Sequence, residues 1–158
     1  MTTTITLVFP QPTLTPFSTV SPPDAAMVQL LHKEIFANAA AITSTLGGGA
    51  HGHLGLVMAA ADYAAIPGTI AWVDPVNPGI FVAAGGNAAQ VATAQAAHRG
   101  NEETFHTFVA VREALKAQIL AAVPSAYLNA IADQILGFTT VTPVQMLDHL
   151  HTTTTPQS

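Results

Sequence analysis

The chain of 158 residues has the length of one domain, and it carries four Lys and Arg against nine Asp and Glu, a formal net charge of -5. So few fixed cations cannot neutralise the several phosphates that a nucleic-acid interface requires, so direct binding of DNA or RNA is not expected. Because the sequence has no Cys, it excludes a disulfide framework, a thiol nucleophile, a zinc knuckle and an iron–sulfur cluster.

Residues 1–20 predict a short N-terminal β arm or hairpin. In its first half the apolar residues Ile5, Leu7 and Phe9 alternate with Thr and Val. This alternation has the period of a half-buried strand. An arm of this kind can pair with another subunit or fold onto its own domain, and the sequence leaves both open. The arm has no basic residue and only a short apolar run, unlike a secretory signal, so a cytoplasmic location is expected.

A helical domain is predicted over residues 21–152. Its first helix begins at Ser21-Pro-Pro-Asp24, where Ser21 can cap free N–H groups and Asp24 suits the positive end of the helix dipole. Apolar residues recur at three- and four-residue intervals from there to about Ala41. A second, short helix is predicted over residues 58–66.

The second half of the chain is more strongly helical. Further helices are predicted, in chain order, over residues 87–98, 101–122, 125–136 and 142–152. A break or kink is expected at Gly100, and Thr142-Pro-Val-Gln145 has the spacing of a capping box. Residues 153–158 are expected to form a flexible tail. The predicted fold class is therefore mainly α, with five to six helices.

The most unusual local sequence is the glycine-rich segment over residues 47–55. So many glycines predict positive φ angles or the close approach of another element, and the segment lacks the Lys of a phosphate loop and the glycine spacing of a dinucleotide fingerprint. His51 and His53 would point to one side of an extended segment, as metal ligands can. A small helical metal- or ligand-binding domain is therefore the alternative function.

Catalytic and membrane functions are not predicted. The sequence has no nucleophile elbow, no Ser-x-x-Lys and no His-Glu-x-x-His motif, so neither catalytic residues nor a cofactor or metal are assigned. Its apolar stretches are interrupted by Asp, Pro or Gly and none approaches the roughly 20 residues that cross a bilayer.

The composition is compatible with a protein that lives in an assembly. Ala contributes 29 residues and Thr 20, whereas charged residues make up only 8% of the chain. Charge repulsion does little to keep surfaces of this kind apart, so self-association is as well supported as a soluble monomer.

Several segments, taken in order, carry a resemblance to a known family. They include Gly47-Gly-Gly-Ala-His-Gly-His-Leu-Gly-Leu56, Pro75-Val-Asn-Pro-Gly79 and Gly137-Phe-Thr-Thr-Val-Thr-Pro143. Over about residues 30–152 the chain resembles the Gag (capsid) region of Ty1/copia-type LTR retrotransposons, particularly those of algae and other protists. The nucleic-acid-binding tail typical of such Gag proteins is therefore expected either to be missing or to lie in another polypeptide.

The resemblance implies a helical capsid-like domain that is not an enzyme. Its partner would be itself, in a homo-oligomeric shell, tube or filament located in cytoplasmic capsid-like particles. The residues expected at assembly contacts are Ile5, Leu7, Phe9, His51, His53, Leu54, Trp72 and Phe138, together with the connection over residues 72–78. For Leu54, Trp72 and Phe138 burial inside the subunit stays equally open, because large apolar residues are usually inside.

Overall fold

The structure is a computed structural model that describes residues 7–18, 20, 22–83 and 85–154. Within these ranges the regular structure consists of four α-helices and four short 3-10 helices. The α-helices are α1 Ala25–Ala41, α2 Ala60–Ala64, α3 Ala88–Ala122 and α4 Pro143–Thr154. The 3-10 helices are Leu46–Gly48, Leu54–Leu56, Ser125–Tyr127 and Asn129–Ile131. The prediction of a mainly α fold is confirmed, with four α-helices over the described ranges where five to six were predicted.

Helices α1, α3 and α4 pack against one another around an apolar core. The buried residues of each helix recur at three- or four-residue spacing, and they include Leu31, Ile35, Leu115, Ile119, Met146, Leu147 and Leu150. Fully burying an aliphatic side chain of this size contributes about 1.5–3 kcal/mol to folding. The core therefore supplies the main force that holds these three helices together.

Side-chain caps fix where the main helices begin. The carboxylate of Asp24 accepts a hydrogen bond from Met27 N at 2.9 Å and caps α1, whereas the predicted cap Ser21 lies outside the described residues. Thr142 and Gln145 form the predicted capping box of α4, because each side chain bonds the backbone N–H of the other. These contacts satisfy amide groups that have no partner within the helix.

Helix α3 is one continuous helix of 35 residues, so the predicted break at Gly100 is wrong. One glycine in a helix costs only about 1 kcal/mol relative to Ala, and the surrounding Ala-rich sequence outweighs that cost. The first residue of α3 to be buried is Phe108, so residues 88–107, here called the projecting half of α3, bury no side chain in the core. No helix in the described ranges is long and apolar enough to cross a membrane.

The helix predicted over residues 125–136 is not formed. Short 3-10 helices begin the segment, and then the carboxylate of Asp133 accepts hydrogen bonds from Ile135 N and Leu136 N, both at 2.8 Å. A side chain that takes these amides competes with helical hydrogen bonding. Asp133 and Gly137 also exchange two backbone hydrogen bonds, which closes the segment as a turn.

The arm is not a β element in its described part, residues 7–18 and 20. It runs as irregular, mostly extended chain against α1 and α3, with Leu14 and Phe17 buried in the core. Its backbone groups bond to side chains and to the Ala122 carbonyl rather than to a second strand. Ile5 lies outside the described residues.

The continuity of α3 predicts opposite effects for alanine at two glycines. A Cβ at either Gly100 or Gly137 would meet no atom within 4 Å, but Gly137 has φ +60°. Gly100→Ala should raise the free energy of unfolding by about 0.5–1 kcal/mol, because Ala is the better helix former. Gly137→Ala should lower it by about 1–2 kcal/mol, because a side chain is strained at positive φ. Urea denaturation measures both, and destabilisation by Gly100→Ala would contradict the continuous helix.

Candidate functional site

The glycine-rich loop carries both ends of a row of four aromatic rings. Ring centroids of His51 and Tyr63 are 6.4 Å apart, those of Tyr63 and Trp72 are 5.5 Å apart, and those of Trp72 and His53 are 6.4 Å apart. Tilted and edge-to-face contacts at such distances are favourable because ring edges are positive and ring faces negative. The row joins the loop to α2 and to the chain that follows α2.

The glycines are needed because this row approaches their backbone closely. A Cβ at Gly47 would overlap the Tyr63 ring, and a Cβ at Gly55 would overlap the Trp72 ring. The carbonyl of Gly47 accepts hydrogen bonds from the Tyr63 hydroxyl at 3.0 Å and from Ile70 N at 3.4 Å. The loop is therefore a structural turn that seats two aromatic side chains, as expected from its glycine content.

His53 connects the loop to the end of α1. Its Nδ1 donates to the carbonyl of Ile42 at 2.7 Å, and its backbone N–H donates to the carbonyl of Ala39 at 2.9 Å. The side chain is buried, and burial lowers the pKa of His53 below its ordinary value of 6.5. The imidazole is therefore neutral at pH 7, with its proton on Nδ1.

The two histidines of the loop are not brought together as a metal site. His51 packs on Tyr63 and His53 packs on Trp72, at the two ends of the row. In the part of the chain that the structure describes, no group of three His, Cys, Asp or Glu side chains is placed to hold a metal ion.

Residues 70–82, here called the strap, run from the aromatic row to α3 without regular secondary structure. At one end the Trp72 ring is buried and its Nε1 donates to Asp74 Oδ1 at 2.8 Å. At the other end His98 Nε2 lies 3.1 Å from the Gly79 carbonyl, and the His98 ring contacts Phe81 edge-to-face at 5.4 Å. The strap is therefore attached at two points.

His98 also ties the strap attachment to the projecting half of α3. Its Nε2 lies 2.8 Å from Glu102 Oε1, one helical turn further along. An imidazole nitrogen that faces two oxygen acceptors must carry a proton. His98 thus donates from Nε2 to both the helix and the strap.

The strap exposes large aliphatic side chains between and beside its two attachments. They are Ile70, Val73, Val76, Ile80 and Val82, with exposed fractions from 66% to 91%. Pro75 and Pro78 restrict the backbone, and Asn77 Oδ1 accepts a hydrogen bond from Gly79 N at 2.9 Å. An exposed apolar patch on a restrained backbone is typical of an interaction site.

The projecting half of α3, residues 88–107, extends this surface. Seven of these 20 residues are Ala or Gly, and none is buried. The Asn87 and Gln90 capping box starts it, and the strap contacts it through His98. Because an isolated helix of this length is marginal in water, the strap and the cap support it.

The predicted contact residues mostly pack within the subunit. His53 and Trp72 are buried, His51 is half-buried, and four more are half-buried against the core, namely Leu7, Phe9, Leu54 and Phe138. Burial was the alternative left open for Leu54, Trp72 and Phe138. Of the predicted connection over residues 72–78, Val73 and Val76 are exposed. Ile5 is outside the described residues.

Sequence reasoning missed the exposed residues Ile70, Ile80 and Val82. The available signal was a run of β-branched residues without helical or strand periodicity, between Pro67 and the Gly85-Gly86 pair.

Comparisons with protein-family models, with curated proteins and with solved structures find no match for this chain.

The close packing of Trp72 against Gly55 predicts that a small substitution at Gly55 has a large effect on stability. Gly55→Ala should destabilise the fold by about 1–3 kcal/mol, because the new methyl group overlaps the indole and overpacking forces a shift. Trp72 is the single Trp of the sequence, so its fluorescence reports the shift directly. Gly100→Ala, where the Cβ meets open space, is the control. Unchanged emission and stability in Gly55→Ala would contradict this packing.

The buried histidines predict a pH-dependent stability. Burial lowers the pKa of His53 and, as the main cause, also that of His32, whose Nε2 is buried without a hydrogen-bond partner. Below pH 6.5 the unfolded chain therefore binds protons more readily than the folded chain. The free energy of unfolding should be highest above pH 6.5 and should fall as the pH decreases through the folded-state pKa values.

Urea denaturation between pH 5 and 8 measures this slope. His53→Asn keeps a donor for the Ile42 carbonyl and removes the titrating group, so its slope should be shallower than that of the parent chain. The same substitution at exposed His106 is the matched control for the loss of a histidine. A slope that is the same in all three proteins would refute the role of His53.

Proposed function

We propose that the chain is a non-enzymatic structural protein whose helical, capsid-like domain assembles with further copies of itself into a shell, tube or filament. The observation that carries this proposal is the strap, which holds five large aliphatic side chains exposed on a fixed backbone. The resemblance to retrotransposon Gag proteins supports the same class of function and favours cytoplasmic capsid-like particles as its location.

Covering the strap would release substantial free energy. Full burial of a Val or Ile side chain is worth about 1.5–3 kcal/mol relative to its exposed state, and each copy offers five such side chains. Association also costs free energy through lost motion. A backbone already held at Trp72 and His98 loses less conformational freedom when it is covered, which favours a second copy as its partner.

The charge distribution supports self-association rather than an oppositely charged partner. Strap residues 70–82 contain one charged residue, Asp74, and its carboxylate already accepts the indole N–H of Trp72. With 8% charged residues in the whole chain, two copies meet little repulsion. Contacts of modest strength become stable when a symmetric assembly repeats them.

Two isoleucines with equal exposure test the proposal. Ile80 lies on the strap and Ile135 lies in the turn before α4, and each is 91% exposed. Light scattering of the tag-free protein over a range of concentrations, with negative-stain microscopy of the same samples, should show large particles or polymers for the parent chain. Ile80→Lys should raise the concentration needed for assembly by at least about tenfold, equivalent to about 1.4 kcal/mol, whereas Ile135→Lys should not.

Two outcomes would overturn the proposal. A parent chain that stays monomeric at every concentration and salt tested contradicts self-assembly. Equal effects of the two lysines contradict the strap as the contact, because a general gain in solubility would act at either position. Far-UV circular dichroism of both variants establishes that each retains its helices.

A further inference from the structure

The arm occupies a groove between α1 and α3 whose polar groups are matched to its backbone. The buried side chain of Asn38 accepts a hydrogen bond from Gln11 N and donates one to the Gln11 carbonyl, both at 2.9 Å. Asn38 Nδ2 also lies 2.9 Å from Gln118 Oε1, and Gln118 Nε2 donates to the carbonyls of Gln11 and Pro12 at 3.2 Å. Asn38 thus satisfies both backbone groups of Gln11, as a partner strand would.

A second set of contacts holds the rest of the arm. The buried carboxylate of Glu34 accepts hydrogen bonds from Thr15 N and from Thr15 Oγ1, both at 3.1 Å. Phe17 N donates to the carbonyl of Ala122 at 2.8 Å, and the Leu14 and Phe17 side chains enter the core. Backbone atoms and two apolar anchors therefore account for the attachment.

The groove is matched to an arm as its occupant. If the arm left and nothing replaced it, Asn38 would lose its bonds to Gln11 and Glu34 would lose both bonds to Thr15. Water would have to replace these hydrogen bonds, and the apolar groove that holds Leu14 and Phe17 would become exposed. Any copy of this chain can supply the missing contacts, because its arm has the same sequence.

The link between the arm and α1 suits an extended path. Residues 18–24 include Pro22 and Pro23, which fix φ and favour extended conformations for the residues before them. The side chain of Val20 is 93% exposed, so it does not anchor the link to the domain. Seven extended residues reach about 23–25 Å, a distance on the scale of the separation between neighbouring small domains.

We propose that in the assembly the arm of one copy occupies the groove of a second copy, which receives the contacts now made within one chain. This inference rests on the proposed self-assembly and names its second contact. Because the hydrogen bonds and apolar anchors are identical in both arrangements, the link and the local concentration of neighbouring copies decide between them. The reach that seven residues allow and the high local concentration within an assembly both favour exchange.

The absence of Cys from the sequence allows a direct crosslinking test. Thr13 and Ala121 are exposed and line the same cleft between arm and α3, so Thr13→Cys and Ala121→Cys leave the hydrogen-bonding groups in place. The two single variants are mixed, unfolded, refolded and assembled together, and they are then treated with a short reagent that joins two thiols. Denaturing electrophoresis should show a covalent dimer that neither variant gives alone.

The controls separate this inference from self-assembly itself. Thr13→Cys mixed with Ile135→Cys, which places the second thiol in the turn before α4, should give markedly less dimer if the arm occupies the partner's groove. Particles without a covalent dimer, together with an intramolecular crosslink in the Thr13→Cys, Ala121→Cys double variant, would overturn arm exchange and leave the proposed function standing. A parent chain that remains monomeric would overturn both.

Discussion

The packing of the Trp72 ring against Gly55 is the contact on which the arrangement of the strap depends. It buries the one indole of the chain against Tyr63 and His53, and through His53 it reaches the end of α1. The strap begins at this point, so its direction is set by a packed core rather than by its own sequence. Without this anchor, the exposed aliphatic side chains of the strap would have no fixed arrangement.

Local patterns in the sequence were sufficient to predict the helices whose stabilising contacts are local. The capping box of α4 lies within four residues, and the apolar spacing of α3 repeats every turn. The described part of the arm does not form the predicted β element because its partners are distant: Asn38 is 27 residues from Gln11, and Gln118 is 107 residues away. The turn at Asp133 was missed because a single side chain there competes with helical hydrogen bonds.

Only some residues of the candidate surface could be predicted from the sequence. The low charge and high apolar content left self-association and a soluble monomer equally open, and the connection over residues 72–78 was identified as a candidate contact. Which apolar side chains stay outside depends on tertiary packing: Trp72 is buried because Gly55 admits it, while its neighbour Val73 is exposed. In an irregular segment no periodicity separates inward from outward positions, so Ile80 and Val82 gave no usable signal.

The projecting half of α3 sets a length scale for any structure built from this chain. Its 20 helical residues measure about 30 Å at 1.5 Å per residue, which is close to the diameter of a small domain. A contact near the tip acts on the core as on the end of a lever, so a tilt of about 5° at the tip displaces the core by about 2–3 Å. Gly100 lies within this lever, so bending of the helix there would change the angle between the tip and the core.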